Sequence, residues 1–393
     1  MMNQTPAKNI LIVSTCYIDW GGSEELWARS VPHLGKMGYG VVVYKRYVNR
    51  SHPAFVELAS QGTILKDYRS SLGWGARLQN KIRKAAGLVY AELKQRPPAK
   101  GGDPAFARNL DRFRPSLVVI SQGINFDGLG YAYQCLQQGV PYIIISQKAV
   151  DFYWPDPGDR EYMTKTLLQA RKCLFVSKHN HRLTEEQFGV RLPNGEVVFN
   201  PVKLSREAIP YPPTDKGYRL ACVARLFLLD KGQDILLRIL SEERWRDRPL
   251  SVSFIGTGED EQPLRAMTNL LGLKNVHFTG QVSDMEAVWK DHHALILPSR
   301  SEGLALSVAE AMAAGRPVIV TNGGGNAEWV TEGITGFVGT ADTETFGEAM
   351  ERAWNNRDHW ESIGRSACAF VTRYVPGEPE LEFANLLNKV VNE

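Results

Sequence analysis

The sequence lacks cysteine pairs, long apolar segments and any Asp-x-Asp triplet, and each absence argues against a class of protein or site. Its five cysteines are scattered, odd in number and without zinc or redox-motif spacing, which disfavours a disulfide framework and favours a reducing cytoplasm. No apolar stretch is long enough to span a membrane, and the N-terminal segment has no signal-peptide core. We therefore expect a cytoplasmic protein, with a peripheral position at the inner face of a membrane as the open alternative.

The length of 393 residues and the apolar fraction of 43% suit two globular domains rather than a disordered chain. Charge is unevenly distributed, because Lys and Arg strongly outnumber acidic residues between Arg69 and Arg114. Part of this basic segment can form an amphipathic helix, with Leu78, Ile82 and Val89 on one face. Such a helix either packs on a sheet, which we favour, or docks on a membrane surface. We expect no nucleic-acid partner.

Short β-branched segments alternate with amphipathic segments of helical length in both halves of the chain. The predicted strands span residues 9–15, 40–45, 63–68, 116–121, 142–147 and 174–177, then 218–224, 251–256, 276–280, 294–298 and 317–321. Strands this apolar, alternating with helices, indicate parallel sheets covered on both faces. We predict an α/β protein with two doubly wound, Rossmann-like domains, 1–200 and 218–374, joined by a proline-rich linker at 201–217. Ligands would bind at the carboxyl ends of the strands, in a cleft between the domains.

Two carboxylates, Glu302 and Glu310, mark the segment with the strongest chemical signal. A strand is predicted to end just before Glu302, and a helix to run from about Leu304 to Ala314, so that the two carboxylates lie roughly 12 Å apart along the axis. Between them, a helix N-terminus would bind an anion through the amides of Gly303, Leu304 and Ala305. The alternative is that Glu302 only favours the helix dipole and Glu310 faces solvent.

Two cations, Arg225 and Lys231, support the interpretation that the segment from Glu302 to Glu310 binds a ligand. Arg225 follows a predicted strand, and Lys231 begins the next predicted helix. A leaving diphosphate needs positive charge where negative charge develops, and two side chains supply it without a metal. The absence of an Asp-x-Asp triplet agrees with this, so we expect no metal and no other cofactor. The turn at Gly256 is a weaker signal, because tight turns use glycine for structural reasons alone.

These motifs, in this order, resemble those of retaining GT-B glycosyltransferases of the family 4 type, which include sucrose synthases and bacterial mannosyltransferases. The resemblance rests on "VARL…KG.D.L", "FIGTGE", "VHFTGQV", "LPSRSEGLALSVAEAMAAGRPVIVTNGGG.AEWV" and "GITGFV", and covers most of residues 218–338. It implies that Arg225 and Lys231 bind the donor diphosphate. It further implies that Glu302, with the amides of Gly303, Leu304 and Ala305, holds the donor sugar. By the same resemblance, Glu310 would hold the ribose, and the backbone between Thr279 and Val282 would hold the base.

The N-terminal half carries a weaker form of the same resemblance. Gly21 and Gly22 look like the family's glycine loop, whose amides approach the donor phosphate across the cleft, although a plain turn capped by Ser23 is the alternative. The pattern is not Gly-x-Gly-x-x-Gly, so a Rossmann dehydrogenase is poorly supported. The resemblance also implies that the last segment, residues 375–393, is a helix that crosses back to the first domain.

The chain departs from the family pattern on the acceptor side. Gln122 and Gln147 stand at strand ends where many members have histidine, and glutamine cannot act as a general base. Retaining chemistry of this class is thought to let the departing phosphate take the acceptor proton, so the mechanism survives the change. Gln147, Lys148 and Asp151 are the candidate acceptor-side residues.

We therefore predict metal-independent, retaining transfer of a hexose-type sugar from a nucleotide diphosphate sugar to a hydroxyl acceptor. The acceptor would be a carbohydrate, a lipid-linked molecule or a small molecule, and the pathway would be polysaccharide or glycoconjugate assembly by analogy alone. Two alternatives stay open. One is a GT-B nucleotide-sugar epimerase or phosphorylase, and the other is a non-catalytic subunit that only binds a nucleotide sugar.

Overall fold

The computed structural model describes residues 8–67 and 102–393. The predicted amphipathic helix lies outside these ranges, and only residues 102–114 of the basic segment lie inside them. No helix in the described ranges combines the length and the apolar character needed to cross a bilayer. All five cysteines are buried free thiols.

The chain divides into two compact units. The first contains residues up to 176, residues 180–201 and the C-terminal residues 378–393, and the second contains residues 177–179 and 202–377. Each unit is built on one parallel β-sheet.

The first unit has a sheet of seven described strands in the order β3-β2-β1-β4-β5-β6-β7, all parallel. Its strands are β1 (Lys8–Ser14), β2 (Tyr39–Lys45), β3 (Ile64–Asp67), β4 (Leu117–Gln122), β5 (Tyr142–Ser146), β6 (Lys172–Phe175) and β7 (Gly195–Val197). The helices between them are α1 (Gly22–Lys36), α2 (Pro53–Ser60), α3 (Pro104–Phe113), α4 (Leu129–Gln137), α5 (Arg160–Gln169) and α6 (Lys178–Phe188).

The central strand β1 shows why this sheet forms. Ile10 and Ile12 pack into the core on one face, and Leu11 and Val13 into the core on the other. All four are fully buried. Apolar side chains at successive positions therefore mark a parallel strand covered on both faces, as the sequence predicted.

The second unit has six described strands in the order β10-β9-β8-β11-β12-β13, again all parallel. They are β8 (Tyr218–Val223), β9 (Leu250–Ile255), β10 (Val276–Gly280), β11 (Ala294–Leu297), β12 (Val318–Thr321) and β13 (Gly336–Gly339). The helices are α7 (Leu228–Lys231), α8 (Gln233–Leu240), α9 (Glu243–Arg246), α10 (Glu261–Leu270), α11 (Met285–Asp291), α12 (Leu306–Ala313), α13 (Thr343–Asn355) and α14 (Trp360–Tyr374), with 3₁₀ turns at Gly325–Trp329 and Arg357–His359.

The α/β prediction with two doubly wound sheets is confirmed, and two edge strands of the described sheets were not predicted. Strand β7 has three residues and no buried one. Strand β13 has four residues, of which two are glycines. Short edge strands carry neither a long apolar run nor a clear alternation, so their sequence signal is weak.

The segment predicted as a linker, residues 201–217, contains no helix or strand and belongs mainly to the second unit. The buried guanidinium of Arg316 holds it there by donating to the carbonyl oxygens of Ile209 and Pro210. The C-terminal helix α15 (Pro379–Asn392) belongs to the first unit. There it buries Phe383 and Leu387 in the core that also contains residues of α1.

Candidate active site

The strand order of the second sheet reverses between β8 and β11, which are neighbours in the sheet but not consecutive in sequence. Ligands of open α/β sheets bind outside the carboxyl ends of the strands at such a switch point. Arg225 and Lys231 follow the end of β8, and the loop that carries Glu302 follows the end of β11. The topology therefore brings the strongest sequence-predicted residues to the expected place.

Lys231 and Glu302 form an ion pair, with 2.6 Å between Nζ and Oε1. The hydroxyl of Ser299 donates to the same oxygen at 2.8 Å. Both side chains are mostly buried, with 17% of Lys231 and 7% of Glu302 exposed. Both bonds use Oε1, and no described residue of the chain donates to Oε2. The carboxylate is thus held through one oxygen, and the other is left to accept from a ligand.

Arg225 lies six residues before Lys231, on the segment after β8. Its guanidinium is 3.5 Å from the carboxylate of Asp230 and lies 4.9 Å from the centre of the Phe227 ring. About a third of the side chain, 30%, is exposed. Arg225 is therefore oriented by an ion pair and a ring contact while its charge still reaches solvent. The thiol of Cys222, deeper in β8, is not a competing nucleophile, because burial raises its pKa to about 12.

Glycines set the backbone geometry around these side chains. Gly232 adopts a left-handed conformation, and a Cβ there would overlap the carbonyl oxygen of Pro298 at the end of β11. Gly324 also has positive φ, and its Cβ would overlap the carbonyl oxygen of Glu302. These two close approaches hold the Lys231 turn and the Glu302 loop against neighbouring backbone, where only glycine fits.

Gly256 makes a third close approach, because a Cβ there would overlap the carbonyl oxygen of Ala224. This turn supports the segment of Arg225, and the amide of Gly256 donates to Gly280 at the end of β10 at 2.8 Å. Strand β10 has a register irregularity between Phe278 and Gly280, so the predicted base-binding residue Thr279 lies at a bulge and is exposed. Val282, the other predicted end of that segment, is half-buried.

Helix α12 begins two residues later than predicted, at Leu306, with Ala305 as its N-cap. The amide of Ala305 donates to the side-chain oxygen of Asn326 at 2.9 Å. The predicted set of anion-binding amides is therefore corrected. Gly303 and Leu304 lie in the loop before the helix, and the first-turn amides without a helical acceptor are those of Leu306 and the residue after it.

The side chain of Glu310 is buried in α12, with 6% of the residue exposed. The alternative interpretation, in which Glu310 faces solvent, is therefore wrong. The rise from Leu306 to Glu310 is about 6 Å, and the segment from Glu302 to Ala305 is not helical. The predicted 12 Å separation along one helix axis is therefore wrong too.

In the first unit, the loop with Gly21 and Gly22 is bonded to Glu24, which is one partner of a fully buried ion pair. Glu24 Oε1 lies 3.1 Å from Lys45 Nζ, and both side chains are 0% exposed. Glu24 Oε2 accepts from the amide of Gly21 at 3.2 Å and from the hydroxyl of Ser23 at 2.7 Å. The Gly21 amide is thus engaged inside the protein, and the first amide of α1 is that of Gly22.

Gln147 also braces the glycine loop. Its amide nitrogen donates to the Ser23 carbonyl oxygen at 3.2 Å, and its amide oxygen accepts from Asn200 at 3.1 Å. The side chain is buried, whereas Asp151 in the same loop is exposed and Lys148 is half-buried. The structure therefore brings Gln147 to the glycine loop and leaves Asp151 in contact with solvent.

The loop of Gln147, Lys148 and Asp151 is fixed by two buried amides that the sequence analysis did not single out. Asn125 accepts from the Val150 amide at 3.2 Å, and Gln187 donates to the Val150 carbonyl oxygen at 2.8 Å. Asn125 and Gln187 also bond each other at 3.1 Å. Nothing in the local sequence marks such residues, because their partners lie far away along the chain.

Asn326 is a further site residue that the sequence analysis missed. It is 0% exposed, and its side-chain nitrogen has no hydrogen-bond acceptor within residues 8–67 and 102–393. It directly follows the three glycines Gly323, Gly324 and Gly325 of the quoted motif, which are the local sequence signal for this turn. Within the same ranges, no group of three or more His, Cys, Asp or Glu side chains is arranged to hold a metal ion.

Comparison with known proteins finds one matching family model and solved structures of similar fold. Residues 217–356 match the family model of glycosyl transferases group 1. Among solved structures, Anabaena Alr3699/HepE in complex with UDP superposes with a TM-score of 0.71 over 97% of this chain and 100% of its own, at 16% identity. Sucrose-phosphate synthase from Thermosynechococcus elongatus superposes with a TM-score of 0.72 over 98% and 99%, also at 16% identity.

The chain has the GT-B fold. Its curated relatives include the D-rhamnosyltransferase WbpZ of Pseudomonas aeruginosa, 31% identical over 42% of this chain and 45% of that protein. A GDP-mannose-dependent mannosyltransferase of Corynebacterium glutamicum, acting on a monoacylated phosphatidylinositol monomannoside, is 26% identical over 54% and 61%. The chain thus spans about half the length of the curated relatives it matches. Both GT-B units described above are covered by the structural matches.

Proposed function

We propose that this chain transfers a hexose-type sugar from a nucleoside diphosphate sugar to a hydroxyl acceptor, with retention of configuration and without a metal ion. The proposal is supported by the GT-B fold, by the match of residues 217–356 to glycosyl transferases group 1, and by the geometry after β8 and β11. The two named relatives are a rhamnosyltransferase and a mannosyltransferase, which favours the glycoconjugate role.

The paired side chains of Lys231 and Glu302 carry the proposal. Glu302 is fixed through Oε1, so that Oε2 can accept a hydroxyl of the donor sugar without a change in the carboxylate position. The ammonium of Lys231 has three donors, of which one goes to Glu302, and the others can reach diphosphate oxygens. An ion pair with a purely structural role would give no reason for one carboxylate oxygen to remain available at a topological switch point.

Arg225 and Lys231 would stabilise the leaving diphosphate, because both positive charges are fixed before the bond breaks. The amides of Gly303 and Leu304 and the first turn of α12 would add donors for the same group. The side-chain oxygen of Asn326 accepts from the Ala305 amide at this helix start, and its side-chain nitrogen, which has no acceptor among the described residues, would offer one more buried donor.

Glu310 would bind the ribose hydroxyls, since its carboxylate lies on α12 beyond Glu302 and a carboxylate can accept two hydrogen bonds from a diol. The bulge at Thr279 exposes backbone groups that, with Val282, would hold the base. Gly256 would support both parts indirectly, by fixing the backbone next to Arg225.

The first unit would supply the acceptor side. Gln147, Lys148 and Asp151 would contact the acceptor, which is a carbohydrate, a lipid-linked molecule or a small molecule, and the loop of Gly21 and Gly22 would meet the donor phosphate. Gln147 cannot remove a proton, so the departing phosphate oxygen takes it. In that step the bond from the anomeric carbon to the phosphate breaks, and the bond to the acceptor oxygen forms on the same face.

Binding and product analysis together test this function. Uridine, guanosine and adenosine diphosphate sugars are screened by thermal shift, and any stabilising donor is incubated with simple sugar acceptors. We expect one nucleotide class to stabilise the protein, and NMR of the product to show the anomeric configuration of the donor. An inverted product, an epimerised donor without acceptor, a requirement for inorganic phosphate, or binding without any turnover would each contradict the proposal.

Metal independence is tested in the same assay. Arg225 and Lys231 take the place of a divalent cation, so we expect transfer to continue at an unchanged rate in excess chelator. The measurement is the initial rate with and without chelator after dialysis against it. Loss of transfer in chelator, with recovery on addition of magnesium or manganese, would show that the two cations are not sufficient.

A further inference from the structure

We propose that Arg300 is a positioning residue that holds the turn of Lys231 in place against the loop of Glu302. The inference rests on the proposed function, because it concerns how that donor site is held in shape. Arg300 lies two residues before Glu302 on the loop after β11. Its side chain makes no contact with the carboxylate and instead reaches back to the segment around Lys231.

The guanidinium of Arg300 bonds the chain on both sides of Lys231. One nitrogen donates to the carbonyl oxygen of Leu228 at 2.8 Å and to Asp234 Oδ1 at 2.7 Å, and the other donates to Asp234 Oδ2 at 2.8 Å. Leu228 lies three residues before Lys231, and Asp234 lies three residues after it. One side chain of the Glu302 loop therefore spans the turn that presents the lysine.

The backbone of Arg300 makes a second connection between the same two segments. The amides of Arg300 and Ser301 both donate to the carbonyl oxygen of Asp230, at 2.8 and 3.1 Å. Asp230 is the residue directly before Lys231. Main-chain and side-chain bonds thus fix the Lys231 turn against the Glu302 loop from several directions.

The chemistry of the pair suits a positioning role. A guanidinium is planar and offers parallel donors, so a two-point bond to a carboxylate fixes orientation as well as distance. Asp234 is buried, which by itself would raise its pKa, yet the bonds from Arg300 and Arg238 bring that pKa below its usual range. The carboxylate is therefore charged and available at neutral pH as an anchor for the loop.

Arg238 provides a matched control. It bonds the same carboxylate, Asp234, but lies one helical turn along α8 and, among the described residues, forms no hydrogen bond or ion pair with the Glu302 loop. If Arg300 only balanced the charge of Asp234, the two arginines would be equivalent. If Arg300 sets the register of the site, its loss should affect turnover and that of Arg238 should not.

The experiment compares Arg300→Ala, Arg300→Lys and Arg238→Ala by steady-state kinetics with the donor identified by the thermal-shift screen. We expect Arg300→Ala to lower kcat by about 10- to 100-fold, because a displacement of about 1 Å in a reacting group has effects of this size. Arg300→Lys should recover little, since an ammonium cannot make the two-point bond. Arg238→Ala should stay within about twofold of the parent, as exposed ion pairs contribute little.

A second readout does not depend on activity. Hydrogen exchange, followed by mass spectrometry, should become faster for the amides at 229–234 and 299–304 in Arg300→Ala and remain unchanged in Arg238→Ala. In the Lys231→Ala background, Arg300→Ala should reduce kcat much less than in the parent, because both changes then act on one unit.

Equal kinetics and equal exchange in the two arginine variants would overturn the inference even if donor transfer is found. Absence of donor binding and transfer in the parent protein would instead overturn the proposed function. In that case the exchange measurement alone decides whether Arg300 holds the two segments together. A fall in kcat with unchanged exchange would show that Arg300 acts on the substrate directly, and this would also overturn the positioning role.

Discussion

The second unit fixes its strand-end loops through close backbone contacts at glycines in addition to the bonds of Arg300, whereas the first unit fixes its glycine loop through buried polar side chains. Around Glu302, a side chain at Gly232 or Gly324 would overlap a neighbouring carbonyl oxygen. Around the glycine loop of the first unit, the bonds come from the ion pair of Glu24 and Lys45 and from the amide of Gln147.

This difference explains why the two halves of the sequence are unequally informative. A close backbone approach admits only glycine, so these loops of the second unit carry a pattern that the sequence displays. A buried side-chain bond can be made by several residue types from several positions, so it produces no local pattern. The comparison leads to four predictions about residues of the two units.

The largest effect is expected from Lys45→Met in the first unit. The change leaves the carboxylate of Glu24 buried without its cation, and breaking such a pair costs about 3–5 kcal/mol of unfolding free energy. The measurement is denaturant unfolding of the variant and the parent. The control is Lys172→Met, whose ion pair with Glu196 is exposed and should be worth at most about 1 kcal/mol.

The double change Lys45→Met with Glu24→Gln refines this test. It removes both charges, so most of the lost stability should return if the unpaired carboxylate was the cause. If Lys45→Met alone is no more destabilising than Lys172→Met, the first unit does not depend on this ion pair. The contrast between the two units would then be wrong.

The next largest effect is expected on turnover from Arg225→Ala and Lys231→Ala in the second unit. Loss of one preorganised charge at the leaving group typically lowers kcat by about 10²–10³. Steady-state kinetics with saturating donor and melting curves on both variants separate this effect from a loss of folding. Near-native turnover in either variant would show that its charge does not stabilise the diphosphate.

A glycine substitution tests whether backbone contact fixes the Glu302 loop. Gly324→Ala places a Cβ against the carbonyl oxygen of Glu302 at positive φ, and we expect a loss of about 1–3 kcal/mol in unfolding free energy together with lower kcat. Gly377→Ala in the same unit is the control, because its Cβ would enter open space among the described residues. Equal stability and turnover in the two variants would show that the loop tolerates displacement.

The same contrast describes how much could be predicted from the sequence. The strands around Ile10 and Leu295 were predictable because buried parallel strands are continuously apolar. The Lys231 and Glu302 loops were predictable because glycines and charges recur at fixed spacing there. The start of α12 was not, since the bond between Ala305 and Asn326 crosses between loops that are 21 residues apart.

The partners of Glu24 illustrate what local sequence cannot provide. Glu24 itself stands in a visible motif after Gly21 and Gly22, and its place near the start of α1 suggests only a capping role. Its cation, Lys45, ends β2 and reads as an ordinary strand residue. Only the sheet order, with β1 beside β2, brings the two together. Long-range polar contacts of this kind follow from topology and have no spacing signal of their own.

An effect that depends on pH, and vanishes below about pH 4, is expected from Asp127→Asn, at the end of the loop after β4 in the first unit. Among described groups, the carboxyl of Asp127 accepts a hydrogen bond from the Ile124 amide at 3.3 Å, and desolvation raises its pKa to about 7 from an ordinary value of 3.8. The folded state then binds more protons than the unfolded state between about pH 4 and pH 7, so the stability of the parent should fall as the pH rises through this window. The asparagine variant lacks this penalty and should be more stable than the parent above pH 7, with the difference closing below pH 4. Denaturant unfolding of both proteins across this range measures it, with exposed Asp111→Asn as a control for lost charge. A variant that is less stable than the parent at pH 8 would contradict this expectation. It would show that Asp127 is a charged group with compensating partners, as Glu24 is. The first unit would then hold no uncompensated carboxyl at its switch point.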